Sequence, residues 1–141
     1  MQTESLSHEQ SLLQLPFRGN CMNWVLGHTL VDRNSAVKIL GGESFLADDE
    51  IAIYVSCSEP VTHDSGSITL EQLLEHLDRS LDWIEETLSD LTSDDLDKEV
   101  ESGGRKDTVD HLIAGLHWHE TYRTGQLEIL RQLAGKDDKV I

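Results

Sequence analysis

The fold class is decided by residues 69–91, TLEQLLEHLDRSLDWIEETLSDL. Thr69 and Gln72 have the spacing of a capping box, in which each side chain bonds the backbone N–H of the other residue. Apolar residues then recur at intervals of three, four and seven, which places them on one face of an α-helix: Leu70, Leu73, Leu74, Leu77, Leu81, Ile84, Leu88 and Leu91. The stretch therefore predicts an amphipathic helix over 69–91 with an acidic outer face.

A second helix is predicted upstream, over 19–41. It begins near Asn20, a residue type that caps helices well, and it contains no proline. Its apolar residues lie on two faces, which is typical of the central helix in a bundle. Gly41 and Gly42 end it, because glycine commonly follows the last turn of a helix.

A third helix is predicted downstream, over 107–135, ending at Gly135. Residues 1–18 give only a weak pattern, and we expect them to be weakly structured. The three helices and no sheet of three or more strands predict a single all-α domain over 1–141.

The segment 42–68 connects the first two predicted helices. Within it, residues 49–56 fit two alternatives: Ile51, Ile53 and Val55 alternate as in a strand, whereas a short helix starting near Asp48 fits equally well. A single strand without a partner is unstable. A crossover of this length is typical of bundles in which neighbouring helices run parallel.

The charge balance limits the possible partners. The chain has 27 acidic and 11 basic residues, a formal charge of −16. Such a surface repels phosphate backbones and anionic membranes, so we expect neither nucleic-acid nor membrane binding. Cys21 and Cys57 form no CxxC pair, and the first residues lack the apolar run of a signal peptide. A cytoplasmic location is the default expectation.

Two of the seven histidines lie within apolar faces of predicted helices. His28 follows Trp24 and Val25 on the first, and His119 follows Leu112 and Leu116 on the last. A buried histidine needs a polar partner, and a hydrogen-bonded core histidine is the commoner explanation for either one alone. Two on facing helices favour a metal site, because imidazole is the commonest protein ligand of divalent metals. We expect the two rings to lie close together.

Two motifs resemble those of the DinB-like superfamily. Residues 19–28, GNCMNWVLGH, resemble its Asn…Trp-x-x-x-His segment, and residues 119–127, HETYRTGQL, resemble its His-Glu-x-Tyr-His-x-Gly-Gln motif. Residues 46–61, which contain Ser58-Glu59-Pro60, resemble its crossover. The resemblance extends over residues 16–136. It implies an up-up-down-down four-helix bundle with a long crossover, here with the first helix short or absent.

The resemblance also implies a divalent metal, often zinc or nickel, held by three histidines. Carried over to this chain, the first two ligands fall on His28 and His119, and the third falls on Arg123. A guanidinium stays protonated and cannot coordinate a metal. The site is therefore expected to be degenerate, with weak or absent metal binding, and His63 in the crossover is the first candidate for a further ligand.

Two functional hypotheses follow from the resemblance. The first is a DinB-like protein with a degenerate metal site that binds a small molecule or acts in a stress response, with Arg123 meeting an anionic group. The alternative is a metal-dependent thiol S-transferase or hydrolase that uses His28 and His119. Because three helices cannot cover all of the predicted apolar surface, we also expect a homodimer.

Overall fold

The computed structural model describes residues 2–136, and these are mostly helical. The elements follow one another in the order α1 (His8–Ser11), α2 (Met22–Ile39), α3 (Asp48–Tyr54), α4 (Leu70–Ser89), α5 (Ser93–Leu96), β1 (Glu99–Ser102), β2 (Arg105–Thr108) and α6 (Val109–Leu133). The expectation of a mainly helical chain is confirmed for this part of the sequence.

Helix α2 is the centre of the structure, with α4 and α6 both packed against it. Every residue from Met22 to Leu30 is buried. This burial is the consequence of apolar residues on two faces of one helix, since each face needs its own partner. The helix begins at Met22, with Cys21 as its N-cap, rather than near Asn20.

The capping box predicted at the start of α4 is confirmed. The Thr69 side chain accepts a hydrogen bond from the Gln72 N–H, and the Gln72 side chain accepts one from the Thr69 N–H. Leu70 and Leu73 are buried against α2, whereas Leu81 is 43% exposed. The apolar face of α4 is therefore buried most deeply at its start and is less covered in its second half.

The second half of α4 and the first half of α6 border an open cleft of about 240 Å³. Its walls are mainly apolar and include Leu81, Ile84 and Leu88 from α4, Ile113 and Leu116 from α6, and Ala36 from α2. No fourth long helix occupies it in the described residues.

The crossover contains a helix and not a strand in the segment where both were considered. Helix α3 ends at Tyr54, whose ring is fully buried beside Gly27 of α2. The Tyr54 hydroxyl donates to Asn23 Oδ1 (3.0 Å) and accepts from the Ile68 N–H (2.9 Å), while Asn23 Nδ2 donates to the Ile68 carbonyl. This buried network attaches the middle and the C-terminal end of the crossover to α2.

A two-stranded antiparallel hairpin, which the sequence analysis did not predict, lies between α5 and α6. It pairs Glu99 with Thr108 and Ser102 with Arg105. Gly103 and Gly104 form its turn at φ values of 60° and 75°, which L-residues rarely adopt. The strands are short and polar, so the alternation that normally reveals a strand is weak. Thr108 ends the hairpin and is the N-cap of α6.

The N-terminal segment, expected to be weakly structured, contains α1 and packs on the bundle. Leu12 is buried, and the Gln10 side chain donates to the Ala134 carbonyl (3.1 Å). Arg131 of α6 donates to the carbonyl oxygens of Gln2 and Glu4. These contacts attach the segment to the end of α6. Among residues 2–136, no helix is both long and apolar enough to cross a bilayer.

Candidate metal site

His28 is positioned by the crossover and by its own helix. Its Nδ1 lies 2.7 Å from the Tyr54 carbonyl, and since a carbonyl only accepts, Nδ1 carries the proton. The ring stacks on Trp24 with centroids 4.6 Å apart and is 4% exposed. Burial lowers the pKa of His28, although the Tyr54 carbonyl acts in the opposite direction. The imidazole is therefore neutral near pH 7, and the lone pair is on Nε2.

The Nε2 atom of His28 is buried without a hydrogen-bond partner among the described residues. A histidine whose Nδ1–H is bonded to a backbone carbonyl and whose Nε2 is unpartnered has the arrangement of a metal ligand. If neither a metal nor a hydrogen-bond donor meets it, leaving this nitrogen buried costs about 1–3 kcal/mol.

Helix α6 brings His119 to the same place. The His28 and His119 rings meet edge to face, with centroids 5.2 Å apart. The structure thus brings together the two histidines selected from the sequence. The side chain of His119 is 28% exposed, so it lies between the core and the solvent.

Asp32 of α2 completes the group. Its Oδ2 lies 2.7 Å from His119 Nδ1. The approach lacks hydrogen-bond geometry, however, and Oδ2 is buried without a partner in the described part of the chain. One turn of α2 separates Asp32 from His28, so the two side chains share a face. The i, i+4 spacing from His28 is the signal that could have identified Asp32 from the sequence.

Together the three residues offer two ring nitrogens and one carboxylate oxygen that lie within 4.8 Å of one another. Zinc binds nitrogen and oxygen ligands at about 2.0–2.2 Å, so the most widely separated of these atoms must come closer together to share one ion. Rotamer changes of Asp32 and His119, which are partly exposed, can provide that approach. The donor set fits zinc, nickel or another divalent transition metal.

An adjacent ion pair holds the elements of the site in place. Arg33, next to Asp32, donates to both carboxylate oxygens of Glu120, next to His119. The same guanidinium also donates to the Leu77 carbonyl of α4. Arg33 therefore connects α2, α4 and α6 at the level of the site and fixes the positions of Asp32 and His119.

Arg123, at the position where the resemblance implies a third histidine, contacts the site without being able to coordinate. Its Nε donates to His119 Nε2 at 3.1 Å. Accepting this bond places the His119 proton on Nδ1, facing Asp32. For His119 to bind a metal through Nδ1, that proton must leave. The contact with Arg123 therefore competes with metal binding.

The remaining histidines lie outside the group. His63, considered as a further ligand, is exposed in the crossover, and the third member is Asp32 instead. His111 contacts Asp107, and His8 accepts from the Leu70 N–H. None of these contacts indicates a second cluster of metal ligands within residues 2–136.

Comparison with known sequences adds no assignment. No protein-family model matches the chain, and no curated protein sequence matches it significantly.

Proposed function

We propose that this protein binds one divalent transition metal, zinc or nickel, through His28, Asp32 and His119, and that it is a DinB-like, metal-dependent transferase or hydrolase acting on a small molecule. The observation that carries the proposal is the buried His28 Nε2, which has no hydrogen-bond partner among the described residues, beside the close contact of Asp32 Oδ2 with His119 Nδ1. The resemblance of residues 19–28 and 119–127 to DinB-like motifs supports the same assignment, since each motif contributes one histidine.

The three residues have the chemistry that catalytic zinc sites require. Three protein ligands leave a further coordination position for water or substrate. When bound, the metal supplies Lewis acidity, which polarises a substrate oxygen or activates a water or a thiol. Asp32 adds a negative charge that two histidines alone lack, and this charge favours retention of a divalent cation.

The surrounding residues orient the ligands and limit access to them. The Tyr54 carbonyl fixes the tautomer of His28, and Trp24 covers one face of its ring. The partly exposed side of the group is formed by His119 and Arg123.

A second candidate function is supported by the bond between Arg123 and His119. In this alternative the protein is a metal-free, DinB-like small-molecule binding protein, with a role in stress response, in which Arg123 has replaced the metal. The guanidinium provides a positive charge next to His119, as a metal would. The two candidates differ in whether the protein retains a metal through dialysis.

The test measures zinc affinity by competition with a chromophoric chelator, using protein first stripped of metal. We expect one zinc per chain, and Asp32→Asn should weaken binding by at least about 100-fold, because loss of outer-shell partners alone costs about 10–100-fold. Asp78→Asn, at an exposed position of α4, is the matched control and should bind zinc as the wild type does.

Equal zinc affinity in the wild type and the Asp32 variant would remove Asp32 from the site. Absence of stoichiometric zinc and nickel binding in the wild type would favour the metal-free alternative.

A further inference from the structure

A pocket of about 260 Å³ is lined by Arg123, which also contacts His119 of the candidate metal site. It is formed by the segment that precedes α2, by α2 itself and by the second half of α6. Arg18, Asn20, Arg123 and Gln126 provide its polar groups, and the apolar wall consists of Leu15, Phe17, Val25, Ile129 and Leu130. The pocket therefore combines two positive charges with an apolar surface.

The two arginines of the pocket have no carboxylate partner in the described part of the chain, although the chain is rich in acidic residues. Acidic residues outnumber basic ones by 27 to 11. Even so, neither Arg18 nor Arg123 has a carboxylate oxygen within 4.0 Å among the described residues, whereas Arg33 and Arg105 do. A surface with net charge −16 thus contains a local cationic pocket.

Arg123 is held in position by neutral groups. Its guanidinium carbon lies 5.4 Å from the centroid of the Trp24 ring and 5.6 Å from that of Tyr122. Nη1 donates to Gln126 Oε1 at 3.3 Å, and Nε is bonded to His119. Cation–π contacts and these bonds orient the guanidinium while leaving its charge uncompensated by an acid. A preorganised guanidinium loses little entropy when it binds an anion.

We propose that this pocket binds a small organic anion, a carboxylate or phosphate monoester with a short apolar group, as the substrate subsite of the metal centre. Arg123 and Arg18 bind the anionic group, and Phe17 and Ile129 pack on the apolar part. The assignment as a substrate subsite rests on the proposed function, because Arg123 contacts the metal ligand His119 directly. Binding of the anion itself requires no metal.

The exposed apolar residues are consistent with such a ligand. Phe17 is 66% exposed and Ile129 is 59% exposed, and both line the pocket. Covering them would remove apolar surface from water, which contributes about 25 cal/mol per Å². An inorganic anion gains none of this contribution, so an organic anion should bind more tightly than phosphate.

The experiment titrates metal-stripped protein with phenyl phosphate, benzoate, inorganic phosphate and the neutral analogue benzyl alcohol, by calorimetry at moderate ionic strength. We expect phenyl phosphate or benzoate to bind more tightly than either inorganic phosphate or benzyl alcohol. Whichever aromatic anion binds more tightly identifies the head group as phosphate or carboxylate.

Variants then locate the site. Arg123→Met should lower the affinity for the preferred anion by about 10- to 100-fold, since a hydrogen bond to a charged group contributes about 1.5–3 kcal/mol. Arg18→Met should weaken it less, because Arg18 is the more exposed of the two. Arg123→Lys keeps the positive charge but loses the bidentate guanidinium. Its affinity for the anion should lie between those of Arg123→Met and the wild type. Arg79→Met, an exposed arginine outside the pocket, is the control and should not change the affinity.

Equal affinity in the Arg123→Met variant and the wild type would overturn the proposal, as would failure of all three anions to bind. If Arg79→Met lost as much anion affinity as Arg123→Met, the anion would be attracted nonspecifically by positive charge. That result would also overturn the proposal. Circular dichroism of each variant verifies folding. Zinc titration of the same wild-type preparation tests the proposed function separately, because the anion arm contains no metal.

Discussion

Arg123 determines, at the scale of single residues, whether His119 is available to a metal. Its Nε–H bond to His119 Nε2 favours the tautomer whose proton faces Asp32. Its positive charge also lies near the position that a cation would occupy, and like charges repel. In the proposed functions Arg123 thus opposes metal binding and supplies a positive charge to the adjacent anion pocket.

Replacing Arg123 with histidine should therefore strengthen metal binding. The variant removes the repulsion and adds an imidazole one turn after His119, on the same face of α6. We expect the zinc affinity of Arg123→His to rise at least about tenfold, given that outer-shell changes alone alter metal affinity by about 10–100-fold. Arg79→His controls for the addition of a surface histidine. Unchanged affinity in Arg123→His would show that position 123 is too far from the ion to matter.

The two cysteines should differ sharply in reactivity. Cys21 is 1% exposed, and its burial raises the pKa of the thiol, whereas Cys57 is exposed. Because the thiolate is the reactive form, iodoacetamide should modify Cys57 in the native protein and reach Cys21 only after unfolding. Because the pKa of Cys21 is higher in the folded state than in the unfolded state, its contribution to the free energy of unfolding is greatest at neutral pH. The contribution declines as the pH rises above about 8.5.

Mass spectrometry of the alkylated peptides checks this difference, with Cys57→Ser as the control that should show no native reaction. Rapid native modification of Cys21 would mean that the start of α2 is open to solvent.

At the scale of elements, the close approach of α2 and α3 delivers the Tyr54 carbonyl to His28. A Cβ added at Gly27 would lie 2.3 Å from Tyr54 Cδ1, so only glycine fits beneath the ring. We expect Gly27→Ala to lower the free energy of unfolding by about 1–3 kcal/mol, the usual cost of overpacking. Gly115 of α6 has open space around it, and Gly115→Ala should raise stability by about 0.5–1 kcal/mol through helix propensity.

Urea unfolding followed by circular dichroism compares the two glycine variants. Gly27→Ala should also weaken zinc binding, because the carbonyl that orients His28 would move, whereas Gly115→Ala should not. If both variants had the same stability, α3 would not pack on α2 as described.

The helices were more predictable from the sequence than the elements between them. The recurrence of apolar residues with a period of about 3.6 residues, together with the Thr69 capping box, identified α4, because both signals depend on residues close in sequence. The hairpin was missed because Glu99–Ser102 and Arg105–Thr108 are short and polar, and their pairing depends on the Gly103-Gly104 turn. For residues 49–56 the choice between strand and helix depended on tertiary contacts of Tyr54.

Prediction of the candidate site was partial for a similar reason. His28 and His119 were identifiable because a histidine on an apolar face is conspicuous. Asp32 was not, since acidic residues are abundant in this chain and an aspartate on a helix is usually solvated. Its i, i+4 spacing from His28 places it on the same helix face, and the packing of α6 on α2 then brings it next to His119.

At the scale of the whole molecule, the open cleft between α4 and α6 favours self-association. Leu81 is exposed there and Ile84, Leu88, Ile113 and Leu116 are half-buried in the described part of the chain, and pairing of two copies is the commonest way to bury such a surface. We expect a homodimer whose formation is strengthened by salt, because each copy has a formal charge of −16 and salt screens the repulsion.

Sedimentation velocity at low and high salt measures the association. Leu81→Glu, in the cleft, should give a monomer, whereas Leu13→Glu, of similar exposure but outside the cleft, should remain a dimer. A wild-type monomer at micromolar concentration across the whole salt range would contradict the expectation.

The most direct test of the central claim is an anomalous-scattering measurement on crystals of the protein grown with zinc. We expect one strong anomalous peak per chain, about 2.0–2.2 Å from a nitrogen of His28, a nitrogen of His119 and an oxygen of Asp32. We also expect the hydrogen bond from Arg123 Nε to His119 Nε2 to be broken, because metal binding through Nδ1 leaves the His119 proton on Nε2. The absence of a peak among these three residues, or a peak only at exposed histidines such as His63, would contradict it.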